Sequence, residues 1–294
     1  MPKFSLCIPY HADHGPRDVI FAFTLARWQT LFPHADICIG DDDTGQPLLN
    51  RCRMRNNAAK QAKTDNLIFV DADAAILSKR DFTTILKLLP TSAMIQYPGV
   101  IWVDEPDVLT LLQGADVAPI FAKYLVPDWQ LYGLFFAMTR KTFDTVNGWD
   151  ERFSGWGNED PAMQCAVRGA VGPIVKLTPP IYHLWHPRTA EHSTVSEASL
   201  RNHALRLAYE QIEATGDRQA MIDYCHHRQA IVWPPLPVTV ISTSCLVFHE
   251  WGGQGTFTLP AKIPTPIPHW ARCSAFYHSC LNSGVIRVVE NSHV

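Results

Sequence analysis

The sequence predicts an α/β protein in which a mostly parallel sheet is flanked by helices and followed by a helical and β-rich extension. Two observations carry this expectation. Between residues 4 and 73, three short apolar runs alternate with two stretches of helical spacing. Each apolar run then ends in polar residues, as expected where the strands of an open α/β sheet present their carboxyl ends to a ligand.

Taken in order, FSLCIPY (4–10), ADICIG (35–40) and NLIFVDAD (66–73) read as strands, and 17–32 and 50–62 as helices with few breakers. MIQYPGVIWV (94–103) reads as a further strand interrupted by a turn, inside a stretch of mixed signals and many prolines. PAMQCAVRGA (161–170) fits a short helix with Pro161 in its first turn, and PIVKL fits a strand leading into PPIYHLWHP. Residues 196–215 form the clearest helix, with Leu200, Ala204, Leu207, Ala208 and Ile212 on one stripe and Gly216 as its stop. Beyond about residue 230 the chain becomes proline-punctuated and β-prone. The expected division is a domain over 1–190, a helical extension over 191–229 and a small β-prone appendage over 230–294.

Bulk composition narrows the function classes. The chain has 294 residues, 47% hydrophobic and 18% charged, enough for a large buried core and unlike a disordered segment. A net charge of −3 excludes a broad electrostatic grip on nucleic acid and leaves room for a local basic groove. No apolar run approaches the ~20 residues that span a bilayer. The N-terminus begins with a strand signal where a signal peptide would carry a basic region and an apolar stretch. Eight cysteines without a CxxC pair read as reduced, which together with the strand-like N-terminus predicts a cytoplasmic protein, bacterial or viral.

Five motifs carry chemistry. FVDADAAIL sets Asp71 and Asp73 at the end of an apolar strand, where alternation sends both carboxylates to one side and lets them share a divalent cation; a strand-end turn with solvated acids is the competing reading. PPIYHLWHP places His183 and His186 three apart, and two neutral imidazoles can complete a metal shell begun by carboxylates. LLNRCRMRNNAAKQA offers Asn50, Arg51, Arg53 and Arg55 at a helix start, where arginine can clamp a diphosphate; a solvated basic face competes, least so for Arg51. GDDDTG follows the second strand, and Asp41 or Asp42 there can accept a hydrogen bond from a uracil ring, although turn formation alone justifies both residues. Finally FSGWGNED (153–160) sets Trp156 between two glycines and follows it with Glu159 and Asp160, the pattern of an aromatic hinge over a proton-accepting site. His226, His227 and the remaining tryptophans read as structural.

The order IPY, NRCRMRN, FVDAD, YGLFFAMTRKTFDTVNGWDERFSGWGNED and HLWHP resembles the GT-A glycosyltransferases over residues 4 to 187. In particular it resembles the beta-1,4-galactosyltransferases, with relatives among polypeptide N-acetylgalactosaminyltransferases, chondroitin polymerases and family 2 enzymes. The resemblance implies a GT-A fold in which Pro9, Tyr10 and Arg51 line the nucleotide and Asp71 and Asp73 form the DxD motif of a manganese-bridged diphosphate. Magnesium is the alternative ion. It implies that Asp73, His183 and His186 hold the metal, with His183 in place of the family's methionine. Trp156 and Gly157 would belong to a mobile loop that closes over the donor, and Asp160 would be the catalytic base beside Glu159. Two departures stand out: the family's Pro-Phe-Arg-x-Arg becomes PYHAD, and Pro161 cuts short the acidic run after the glycines.

The expected activity is that of a metal-dependent, inverting hexosyltransferase. It would move a sugar from a nucleotide sugar, a UDP sugar first, to a hydroxyl on a glycan, lipid-linked sugar, protein or hydroxylated DNA base. A metal-dependent hydrolase or pyrophosphatase using the same acids and histidines is the rival reading.

Overall fold

The computed structural model describes residues 3–45, 48–76, 79–97, 100–124, 133–177, 181–187, 197–228, 238–249, 256–267, 271 and 275–289. The alternation read from the first residues is present: β1 (Ser5–Pro9), α1 (Pro16–Leu31), β2 (Asp36–Gly40), α2 (Arg51–Gln61) and β3 (Asn66–Val70). Every residue of β1 is buried, so its unbroken apolar run is that of an inner strand covered on both faces. Pro16 opens α1, where its missing N–H costs nothing. Asn50 caps α2 by accepting from the Arg53 backbone N–H at 2.9 Å.

The six-stranded sheet has the order β2-β1-β3-β7-β5-β8, with β5 at Met94–Gln96, β7 at Phe135–Thr139 and β8 at Ile174–Lys176. Pairings β1–β2, β1–β3 and β5–β8 are parallel, while β7 runs antiparallel to both neighbours, so the sheet is mostly parallel with one reversed strand. The single strand expected over 94–103 is two: β5 joins this sheet and β6 (Val100–Val103) joins another. That second sheet, ordered β4-β9-β6, contains β4 (Ala74–Ala75) and β9 (Ile181–Leu184).

Helices α3 (Lys79–Leu88), α4 (Glu105–Leu112), α5 (Val117–Phe121) and α6 (Arg140–Thr145) come next, and α7 (Glu159–Ala170) begins two residues before the expected start, which places Glu159 and Asp160 inside its first turn, where the helix dipole favours carboxylates. Helix α8 (Glu197–Thr215) stops before Gly216 at φ 69°, as expected, and α9 (Arg218–His226) follows. Leu205, Tyr209, Met221 and Cys225 from these two helices share one buried cluster with Met163, Ala166 and Val167 of α7 and with Phe69 of β3. Such fully buried side chains stabilise by roughly 1.5–3 kcal/mol each. Beyond the helices, Val240, Phe248, Leu259, Ile267, Tyr277 and Ile286 form a separate apolar cluster between short antiparallel strands and a helix over Ala275–Asn282. The prolines at 234, 235 and 237 and the PHW stretch at 268–270 lie outside the described residues. Cys7, Cys38, Cys52, Cys165, Cys225, Cys245 and Cys280 are free. Among the described residues no helix is long and apolar enough to cross a membrane.

The seating of α2 on the sheet depends on one glycine. A Cβ at Gly40 would lie 1.9 Å from the Met54 carbonyl oxygen and 2.4 Å from the Ala58 nitrogen, both backbone atoms that cannot rotate away. Gly40→Ala should therefore destabilise the protein by about 1–3 kcal/mol or more. Urea unfolding monitored by circular dichroism checks this, and an unchanged midpoint would contradict the close approach.

Candidate active site

Strand β3 ends at Val70, and a bond from the Ala74 N–H to the Asp71 carbonyl (3.0 Å) closes a turn over Asp71-Ala72-Asp73. Strand alternation therefore does not govern the Asp-x-Asp pair. The two carboxylates face different partners.

Asp73 faces the histidines. Its Oδ2 is 3.2 Å from His186 Nε2 and its Oδ1 3.7 Å from His183 Nε2. The antiparallel register Ala74↔His183 between β4 and β9 causes this meeting of residues 110 positions apart in the chain. His186 Nδ1 lies 2.9 Å from the Pro187 carbonyl, which can only accept, so Nδ1 carries a proton and Nε2 is the atom turned to the Asp73 carboxylate, there either donating a proton or free to bind a cation. A lone pair facing a carboxylate is favourable only with a proton or a cation between them. Asp73 Oδ1 and His183 Nδ1 are also buried without a hydrogen-bond partner. Burial pulls the His183 pKa down, toward the neutral ligand form. Burial acts the same way on His186, but the Asp73 hydrogen bond and charge outweigh it and the net shift is upward. Asp73 itself stays ionised: burial opposes the charge, and His183 and His186 more than offset it. One carboxylate and two imidazoles in this arrangement fit a divalent transition-metal ion.

Asp71 faces Arg55, which is 1% exposed. The guanidinium forks, Nη2 donating to Asp71 Oδ1 at 3.0 Å and Nη1 to Asp160 Oδ1 at 2.8 Å. It also lies over the Trp149 ring, 4.3 Å from the centroid. Burial works against the Arg55 charge, yet Asp160 and Asp71 hold it protonated. For Asp160 the balance goes the other way. Burial raises its carboxyl to about 7, because Arg55 is shared with Asp71 while the charges of Glu159 and Asp71 add to the burial penalty. Glu159 is buried too, its Oε1 3.8 Å from Arg51 Nη1. Gly133, at φ 139°, leaves the space that Asp160 fills, since a Cβ there would sit 2.8 Å from Asp160 Oδ2.

Six of the sequence-selected residues, Pro9, Tyr10, Arg51, Asp71, Asp73 and Trp156, line one cavity. Arg17, Leu49 and Met54 line it as well and were not singled out from sequence. The Tyr10 ring stacks on Phe21 at 3.8 Å, which fixes its plane at the cavity wall. Asp41 is exposed and lies 2.6 Å from His11 Nδ1. Asp42 is spent locally: its carboxylate accepts from the Asn50 backbone N–H (2.8 Å) and the Thr44 hydroxyl (2.8 Å), so it serves the loop before α2. Gly157, at φ 95°, has open space where a Cβ would be. Arg55 is the residue whose weight sequence reasoning missed. Its signal was helical spacing, four residues after Arg51 and on the buried face with Cys52, Ala58 and Ala59.

The loop before α7 is held from the side by α8. Asn202, fully buried, donates to the Ser154 carbonyl at 2.9 Å and the Trp156 carbonyl at 3.4 Å, and Arg206 Nε donates to Asn158 Oδ1 at 2.9 Å. The Gly155 N–H reaches the Leu49 carbonyl at 2.9 Å. Asn202→Ala should cost about 1–3 kcal/mol by leaving two carbonyls unpaired. Amide exchange should then accelerate at 154–158 and stay unchanged in β1 and β3. Uniform acceleration, or none, would contradict this local clamp.

Comparison with known proteins finds one partial family match and several distant structural likenesses. Residues 119–181 match the family model described as the N-terminal domain of galactosyltransferase. A search of curated proteins finds no match. Solved structures similar to the chain include the catalytic domain of Drosophila beta1,4galactosyltransferase 7 in complex with xylobiose, at 14% identity and TM-score 0.47 over 93% of this chain and 100% of that one. GalNAc-T7 with UDP, GalNAc and Mn2+ aligns at 11% identity and TM-score 0.48 over 98% and 67%. S. aureus TarS with UDP-GlcNAc aligns at 14% and 0.46 over 78% and 74%. The family match includes β7, the Asn147-Gly148 turn, the glycine-flanked Trp156 and the Glu159-Asp160 pair, so over this stretch the chain resembles galactosyltransferases.

Proposed function

We propose that the protein is a metal-dependent, inverting glycosyltransferase that moves a sugar from a UDP sugar to a hydroxyl acceptor. The observation that carries this reading is one site with two differently tuned carboxylate centres: Asp73 ionised beside two histidines, and Asp160 poised near neutrality on Arg55. The galactosyltransferase-family match over 119–181, which includes Asp160, supports it.

In this reading Asp73, His183 and His186 would hold a manganese or magnesium ion, which when bound neutralises the charge of the diphosphate leaving group. Pro9, Tyr10 and Arg51 contact the nucleotide, and Trp156 covers the donor. Asp160 accepts the proton of the attacking hydroxyl, since a carboxyl with a pKa near 7 is half ionised at neutral pH and still basic enough to take that proton. Arg55 anchors one Asp160 oxygen and keeps the carboxylate oriented. Attack from the face opposite the departing diphosphate gives inversion. Glu159, buried next to the base, orients the acceptor or the loop.

Turnover of UDP sugars with and without sugar acceptors separates transfer from the hydrolase reading. Hydrolysis at equal rates in both would sink the transferase. Asp160→Asn should retain donor binding and lose about 100- to 10,000-fold in turnover, and proton NMR of the product should show the opposite anomer to the donor. Because the folded Asp160 pKa lies well above the ordinary carboxylate value, the base is lost as pH falls through it. The log of kcat/KM should therefore fall with unit slope below about pH 7. A profile flat down to pH 5 would remove Asp160 from the proton transfer. His186→Ala should weaken manganese binding at least ~10-fold by calorimetry, and equal affinity would remove His186 from the metal shell.

A further inference from the structure

The cavity contains two arginines, both half-buried and both in the first turn of a helix: Arg17 on α1 and Arg51 on α2. This is the wrong end for a structural cation. The positive end of the helix dipole repels a guanidinium, at a cost of about 0.3–1 kcal/mol each, whereas carboxylates are favoured there. Among the described residues no carboxylate forms an ion pair with Arg17. Among the described residues no hydrogen bond or ion pair engages its side chain, and its neighbour Asp18 accepts from the Tyr10 hydroxyl instead. Among the described residues, the one ion pair of Arg51 is the 3.8 Å approach of Glu159. Arg17 lines the same cavity as Asp73, a member of the candidate metal group.

The rest of the lining describes what such a pair would hold. Tyr10 and Trp156 offer aromatic surface, Leu49 and Met54 apolar surface, and Asp73 leads to the metal group. A ligand matching all of these has a flat ring at one end and a compact polyanion at the other. A nucleoside diphosphate has that chemistry, and guanidinium is the side chain best suited to phosphate oxygens.

We propose that Arg17 is a donor-binding residue whose guanidinium, together with that of Arg51, grips the diphosphate of the nucleotide. This rests on the nucleotide-sugar reading above and adds to it a residue on α1 that no motif marked. The position is notable because the strand before it ends in PYHAD, which has no arginine.

Calorimetry with UDP and uridine, on wild type, Arg17→Gln and Arg17→Lys in the presence of manganese, tests this. Arg17→Gln should weaken UDP about 10- to 100-fold, the range for losing a charge-assisted bond. It should change uridine less than ~2-fold, because uridine has no phosphate for the guanidinium to hold, and Arg17→Lys should recover part of the loss by keeping the charge. Arg17 is part of no buried cluster, so all variants should keep the wild-type melting temperature. If wild type binds UDP and Arg17→Gln binds it equally well, Arg17 is not a donor contact and the nucleotide reading survives. Equal weakening of uridine and UDP would also overturn the proposal, by assigning Arg17 to the shape of the cavity. Absence of UDP binding by wild type would sink the nucleotide reading itself.

Discussion

A buried guanidinium organises this site. Arg55 ties α2 to the turn after β3 through Asp71 and to the start of α7 through Asp160, under the ring of Trp149. An arginine withdrawn from water is tolerated only when its donors meet matched acceptors, and removing one partner of such a pair typically costs about 3–5 kcal/mol. The two carboxylates therefore have to be where they are for the arginine to be buried, and the arginine has to be buried for Asp160 to sit in low dielectric. Its position in turn depends on Gly40, which lets α2 reach the sheet, and on Asn56, which exchanges bonds with the Trp149 backbone N–H and carbonyl at 2.9 Å each.

Three consecutive residues separate two electrostatic regimes. Asp71 turns toward Arg55 and is part of a network with excess negative charge, where Asp160 is pushed toward protonation. Asp73 turns toward two imidazoles and stays ionised. Ala72 lies between them, its carbonyl held by the Thr24 hydroxyl of α1 at 2.5 Å. The turn that ends β3 thus does what strand alternation could not, because it sends neighbouring acids to different partners. On the proposed reading the division is chemical: one side binds the charge of the departing group and the other receives the proton of the attacking one.

Helix α8 contributes to this arrangement from outside the sheet. Asn202 and Arg206 hold the backbone around Trp156 and Asn158, immediately before the first turn of α7. Asn158 is left-handed at φ 72° and caps α7 without a side-chain bond to it, its amide oxygen being taken by Arg206. Backbone strain of this kind persists when surrounding contacts fix it, and here those contacts come from a helix whose Leu205 and Tyr209 share the core of α7. Helix α8 is therefore joined to the site by both packing and hydrogen bonds.

Local pattern was enough for the alternating strands and helices of the first 73 residues, because β1, β2 and β3 are short apolar runs whose ends are set by polar residues in the chain itself. It was also enough to select Arg51, Asp73, Trp156 and the histidines, since each belongs to a motif with recognisable spacing. Local pattern could not divide 94–103 between two sheets, as partner choice for β5 and β6 is made by β7 and β9, strands distant in sequence. Nor could it tell Arg55 from a solvated helix face, or Asp42 from a ligand contact. Burial by Trp149 and the nearby Asn50 N–H decide those roles, and both arise only when the chain closes. The sequence by itself determined which chemical groups the site contains. Tertiary structure decided which of them share a partner, because the charge state of a buried acid is set by neighbours brought together through space rather than by its own position in the chain.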